Sequence, residues 1–137
     1  MGDVGKWVTV RDVMKTEFSI IDGNATILEA IRLMKQRQTA VLVVDRRNEG
    51  DEYGMLLVSD VAREVLSKDR PPERVNVYEV MVKPAIYVES WMDIRYCSRL
   101  FARFDLMRAL VVDDRKLLGT ISPYALVLDG LCRHYEG

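Results

Sequence analysis

Histidine is nearly missing from this 137-residue chain and cysteine is scarce: there is one histidine, His134, and two cysteines, Cys97 and Cys132. The cysteines have no CxxC spacing and no imidazole beside them except His134, which argues against a metal site. A serine or cysteine nucleophile needs a base within hydrogen-bond reach, and the single histidine lies by the C-terminus. No Walker sequence, GxGxxG turn or HExxH helix is present, and paired carboxylates occur only as local neighbours such as Asp113 and Asp114. The expectation is a protein that is not an enzyme and requires no cofactor. Excess charge of either sign is also missing. A formal net charge of −1 gives no general field to attract nucleic acid or an acidic membrane. Long apolar runs are absent: "AVLVV", 40–44, is far too short to cross a bilayer, and the N-terminus has no signal core. Lys6 stands where a myristoylation signal would want Ser or Thr. A cytoplasmic location is expected.

What the chain does contain is a repetition. "VRDVMKTEFSII", 10–21, returns as "VYEVMVKPAIYV", 77–88. An offset of 67 residues puts Val10 on Val77, Val13 on Val80, Met14 on Met81, Ile27 on Ile94, Ala30 on Cys97 and Met34 on Phe101. One inserted residue then brings "VLVVD", 41–45, onto "ALVVD", 109–113, and a shorter second loop sets Gly54 over Gly119. Such a repeat governs the whole fold reading.

Period and punctuation give the elements. "TILEAIRLMKQR", 26–37, places Ile27, Ala30, Ile31 and Met34 on one helical face, and Thr26 with Glu29 makes a capping box. Asp93 caps the matching helix. "AVLVVD" and "RALVVDD" are short and β-branched, as buried strands are; "YGMLLV" and "LLGTIS" read as their partners. Helices follow over about Asp60–Leu66 and Tyr124–Tyr135, and "SKDRPPER", 67–74, reads as an extended linker. Each half is a leading turn, then strand, helix, strand, strand, helix. Neither half can cover both faces of a three-stranded sheet, so the expectation is a mixed α/β (α+β) fold of two β-α-β-β-α repeats packed about a pseudo-twofold axis. The divisions are an N-terminal segment, 1–9; repeat one, 10–68; a linker, 69–75; and repeat two, 76–137.

The repeated β-α-β-β-α order, the "VMK" and "VMVKP" openings, the "VVD" strands and Gly54 or Gly119 leading the last strand resemble a tandem pair of CBS domains, or Bateman module. The resemblance spans about Val10 to Leu131. It implies a stand-alone regulatory module that binds AMP, ADP, ATP, S-adenosylmethionine or another adenosyl ligand in a cleft between the repeats and signals to an unknown regulated protein. In this family a Ser or Thr and an Asp three residues later hold the ribose hydroxyls. Here "GMLLVSDV" puts Leu57 at the hydroxyl position and Asp60 at the carboxylate position, while "GTISPYAL" supplies Ser122 and then Ala125. Each copy keeps one half of the clamp. The resemblance places adenine near Thr16, Phe18 and Ser19 at the first site. Lys83, Pro84, Ala85 and Ile86 form the corresponding wall of the second, with Arg108 toward a phosphate.

A charge-assisted bond is worth roughly 1.5–3 kcal/mol, so losing the Asp weakens the second site and the first, with Asp60, is the better candidate. Asp60 has a competing reading as a helix cap. The alternative function is a ligand-free dimerisation or protein-interaction scaffold with degenerate sites. A homodimer is expected, through apolar stripes of Val61, Ala62 and Val65 on one final helix and Leu128, Leu131 and Cys132 on the other. Arg95, Arg99 and Arg103 read as a solvated helix face, Cys97 as core packing, Trp7 and Trp91 as covers of core edges, and His134 as solvated.

Overall fold

The computed structural model describes residues 7–136. The first six residues of the N-terminal segment, including Lys6, lie outside the described residues. Two compact units emerge. One runs from Phe18 to Ala85; the other joins the described residues up to Glu17 with those from Ile86 onward.

In the first unit β1 (Ile20–Ile21), β2 (Val41–Val44) and β3 (Gly54–Leu57) form a sheet in that order, with β1 parallel and β3 antiparallel to β2. Helix α2 (Ile27–Arg37) starts at the expected capping box: Glu29 N–H donates to Thr26 Oγ1 at 3.1 Å and Thr26 N–H to Glu29 Oε2 at 2.8 Å. Its Ile27, Ala30 and Met34 join Leu42, Val44 and Leu56 in the core. The second unit repeats this design with β4 (Tyr87–Val88), β5 (Ala109–Asp113) and β6 (Lys116–Ile121) and with α4 (Ile94–Phe104), whose cap is Asp93, accepting from Arg95 N–H at 2.8 Å. Ile94, Cys97 and Phe101 pack on Ala109, Val111 and Ile121. Burial pushes the Cys97 thiol up to about 11, in keeping with a packing role. Both long helices end in a left-handed residue at the same repeat position, Gln38 (φ 52°) and Asp105 (φ 51°).

The leading turn of each sequence repeat belongs to the other repeat's unit. Helix α1 (Val10–Val13) sends Val10 and Val13 into the core beside Ile121, and Lys15 exchanges two backbone hydrogen bonds of 2.9 Å with Thr120 on β6. The 3₁₀ turn Val77–Glu79 sends Val77 into the core beside Leu56, and Val82 exchanges two bonds of 2.9 Å with Met55 on β3.

Three sequence expectations change. The insertion that aligned the two "VVD" runs is wrong. Val44 faces Ile21 and Gly54, while Val111 faces Val88 and Gly119, so the offset of 67 persists through these strands and Val44 matches Val111. A one-residue slip would turn every side chain to the opposite face, and burial forbids it. The 67–74 stretch is not extended: Pro72–Arg74 is a 3₁₀ turn, and the Val75 carbonyl accepts from Ile27 N–H at 2.7 Å. Finally, both closing helices contain π-helical turns, Ala62–Leu66 after α3 (Val58–Val61) and Ala125–Leu131 before α5 (Cys132–Glu136). The wider turn rotates the exposed face. Val65 lies buried in the core with Val61 packed against it, so it is not part of an exposed dimer stripe as expected, and Leu66 stands 77% exposed.

Candidate ligand sites

The sheet registers decide which predicted residues meet. Ile20 lies opposite Val43 and Val41 opposite Leu57, so Phe18, Ser19 and Leu57 gather at one end of the first sheet. The Ser19 carbonyl accepts from Val43 N–H at 3.0 Å. Asp60 follows in the first turn of α3. Its side chain is folded back: Oδ2 accepts from Leu57 N–H at 3.0 Å, and Oδ1 accepts from the Arg63 guanidinium at 2.8 Å. Asp60 is only 3% exposed, whereas the Arg63 side chain is mostly in solvent. The carboxylate therefore caps α3, and an exposed cation covers it. Arg63 was missed by the sequence reading, although i, i+3 spacing from Asp60 on a helix could have found it.

The second sheet repeats the arrangement with different chemistry. Leu110 N–H donates to the Ile86 carbonyl at 3.0 Å and Ala109 lies opposite Ile121, so Ile86, Arg108 and Ser122 gather at the matching end. Ser122 Oγ accepts from Ala125 N–H at 3.3 Å, a hydroxyl cap where Asp60 provides a carboxylate cap. Arg108 is half-buried and has no acidic or hydrogen-bonding partner among the described residues. Burial lowers its pKa, the mark of a desolvated guanidinium without a counter-charge.

The remaining predicted residues are anchored elsewhere. Lys83 Nζ sits 2.7 Å from Asp51 Oδ2, and Ala85 N–H donates to the Tyr53 carbonyl at 2.9 Å; Pro84, between them, is exposed and joined to Lys83 by a cis peptide bond. These three belong to the first unit, while Arg108 and Ser122 belong to the second. Lys83 holds the Asp51 carboxyl well below the usual carboxylate range, with Arg47 assisting. Thr16 is exposed and follows the Lys15 bridge to β6.

The strand order and the repeated glycine within each last strand now have a counterpart among known proteins. Residues 10–67 and 77–128 match the CBS domain. The chain belongs to the CBS domain family. Its CBS pair is 30% identical over 129 residues to the CBS domain-containing protein YhcV of Bacillus subtilis (strain 168), covering 94% of this chain and 90% of that one. It superposes on the hexameric CBS-CP12 protein from bloom-forming cyanobacteria with a TM-score of 0.88 at 31% identity, over 90% of this chain and 68% of that one. The CBS domain pair of protein MJ0100, crystallised with 5′-methylthioadenosine and S-adenosyl-L-methionine, shares the fold at 17% identity (TM-score 0.77, 90% of this chain and 95% of that one). Among the described residues no helix is long and apolar enough to cross a membrane.

Other side chains of this CBS pair depart from their expected surroundings. His134 is stacked on Trp7, with ring centroids 3.7 Å apart, and the Arg95 guanidinium lies 4.3 Å from the Trp7 ring centroid. Arg95 is also paired with Asp93 at 2.7 Å, and Arg99 and Arg103 each lie over an aromatic ring of their own helix, Tyr96 and Phe104. Trp91 covers no core edge; it is 67% exposed and donates to Glu89.

Proposed function

We propose that this CBS pair is a regulatory binding module for an adenosine-containing ligand, AMP, ADP, ATP or S-adenosylmethionine, whose occupancy is read by a regulated protein. Asp60 would accept from a ribose hydroxyl after Arg63 swings aside, with Phe18 and Ser19 near the base. Ser122 supplies the lone hydroxyl of the second repeat, and Arg108 takes a phosphate there. The observation that carries the reading is Arg108. A half-buried guanidinium without a counter-charge is costly, and an anion at that sheet end relieves the cost. The adenosyl ligands held by the MJ0100 CBS pair support the same ligand class.

The test is a calorimetric panel of AMP, ADP, ATP, NAD and S-adenosylmethionine against the native chain and Arg108→Gln. The expected result is binding of modest affinity without two equivalent sites, with phosphate-bearing ligands weakened about tenfold or more at the Arg108 sheet end by the substitution and S-adenosylmethionine, which has no phosphate, unaffected. Bound ligand also raises the melting temperature by mass action. Two tight, equivalent sites would contradict the proposal. A silent panel would instead favour the scaffold reading.

The module is proposed to act as a homodimer. A groove of about 530 Å³ in the first unit is lined by Ile31, Met34, Val58, Val61 and Leu66. The closing helix of the second unit leaves Tyr124, Val127, Leu128 and Leu131 exposed. Apolar faces of this kind are stabilised by a second copy. Light scattering at micromolar concentration is expected to give twice the mass of one chain; a single-chain mass would contradict it.

A further inference from the structure

A second cavity of the first unit, about 740 Å³, lies at the opposite end of the sheet from Leu57 and Asp60. Gly23, Tyr78, Arg46, Arg47 and Lys83 line it, together with Asp22 and Asp45. The internal repeat shows what this place looks like when it is filled. In the second unit the equivalent residues are Ser90, Arg11 and Asp113. The match is fixed by one shared hydrogen bond: Arg11 N–H to the Ser90 carbonyl at 2.8 Å there, and Tyr78 N–H to the Gly23 carbonyl at 2.9 Å here. The offset of 67 that joins Val44 to Val111 places Arg46 at the position of Asp113.

In the second unit Ser90 N–H donates to Asp113 Oδ1 at 2.8 Å, and the Ser90 hydroxyl donates to the other carboxylate oxygen. The Arg11 guanidinium closes the knot, 3.3 Å from Ser90 Oγ and 3.7 Å from Asp113. Backbone amide, hydroxyl and guanidinium thus converge on one carboxylate. In the first unit that carboxylate is missing. Gly23 N–H has no hydrogen-bond partner among the described residues. Arg46 lies over the Tyr53 ring at 4.7 Å and donates to the Glu49 carbonyl at 3.4 Å, both neutral partners, and forms no ion pair among the described residues. Arg47 and Lys83 share the single carboxylate of Asp51, at 3.2 and 2.7 Å. Arg46 is thus left as a guanidinium without an ion pair beside an unpaired amide whose counterpart binds a carboxylate.

Asp22 and Asp45 constrain the ligand further. Each uses one oxygen on a local backbone amide, Asp22 on Asn24 N–H at 2.7 Å and Asp45 on Arg46 N–H at 2.8 Å, leaving the other oxygen to accept. They repel any anion, and a ligand whose hydroxyls donate to their free oxygens offsets that repulsion where a bare anion does not. We propose that this cavity binds a small polyol or sugar phosphate, its anionic group on Gly23 N–H and the Arg46 guanidinium and its hydroxyls donating to Asp22 and Asp45.

Amide shifts of the full chain, followed by NMR during titration with glycerol 3-phosphate, inorganic phosphate and sulfate, test this. Glycerol 3-phosphate is expected to give saturable shifts at Gly23, Asn24 and Arg46 without moving Leu57 or Asp60, and to bind more tightly than either inorganic anion. Arg46→Gln should weaken it about tenfold or more. A triple variant, Gly23→Ser, Tyr78→Arg and Arg46→Asp, copies the filled knot and should abolish the shifts in a folded chain. A Cβ at Gly23 meets only ordinary contacts of 3.6 and 3.7 Å, so the serine fits. No saturable shift at Gly23, equal affinity for the inorganic anions, or undiminished binding by the triple variant would overturn the proposal. The adenosine site would be untouched by such a failure, because its amides lie at the other sheet end.

Discussion

Replacing Gly119 by alanine is expected to lower the unfolding free energy by about 3 kcal/mol, far more than the same change at its repeat partner Gly54. A Cβ on Gly119 would overlap the Lys15 carbonyl oxygen and come within 3.1 Å of the Lys15 carbonyl carbon. Both are backbone atoms, held in place by the two hydrogen bonds of 2.9 Å between Lys15 and Thr120. The only relief is to peel the N-terminal segment from β6, withdrawing Val10 and Val13 from the core. A Cβ on Gly54 would meet Met81 Sδ at 2.9 Å and Val44 Cβ at 3.2 Å. The thioether can rotate away, so about 1 kcal/mol is expected there. Chemical denaturation of both variants measures the difference, and faster hydrogen exchange at the Lys15 and Thr120 amides in Gly119→Ala would locate it. Equal losses at the two glycines would show that the backbone contact does not set the cost.

Asp60→Ala is expected to lower stability by about 2 kcal/mol, because the part-buried Leu57 N–H loses its acceptor and the cap of α3 is removed. Arg63→Gln should cost under about 1 kcal/mol, since that guanidinium is largely solvated. The two substitutions act oppositely on an adenosine ligand if Asp60 receives the ribose. Removing the carboxylate should weaken binding about tenfold or more, and removing the covering cation should strengthen it. Denaturation gives the stabilities, and calorimetry with the best ligand of the panel gives the affinities. Unchanged affinity in Asp60→Ala would leave Asp60 as a helix cap alone.

Arg63 shows why a site can be half legible. The spacing in "GMLLVSDV" marks Asp60, but whether its oxygens face a ligand or a neighbouring cation depends on rotamers that no spacing encodes. Gly23 and Arg46 were passed over because neither is unusual in its own sequence context. They become informative only beside Ser90 and Asp113, and that comparison needs the strand register. The repeated "VVD" was misleading here: three identical letters suggested an insertion, whereas the alternation of buried faces requires Val44 to match Val111.

The sequence by itself determined the elements, their order and their duplication. The capping box at Thr26, the apolar face of α2, the β-branched strands and the glycines of β3 and β6 are local signals, and local chemistry suffices to read them. The exchange of leading turns was decided only by tertiary structure. Val10 and Val13 carry the same pattern as Val77 and Val80, so either pair would satisfy either core by hydrophobicity alone. The choice comes from backbone partners distant in sequence, Lys15 with Thr120 and Val82 with Met55. The faces of the closing helices were likewise decided late. The apolar stripe of Val61 and Val65, expected at a dimer contact, is taken up by the chain's own core, because the helical period marks a stripe and only packing says what covers it.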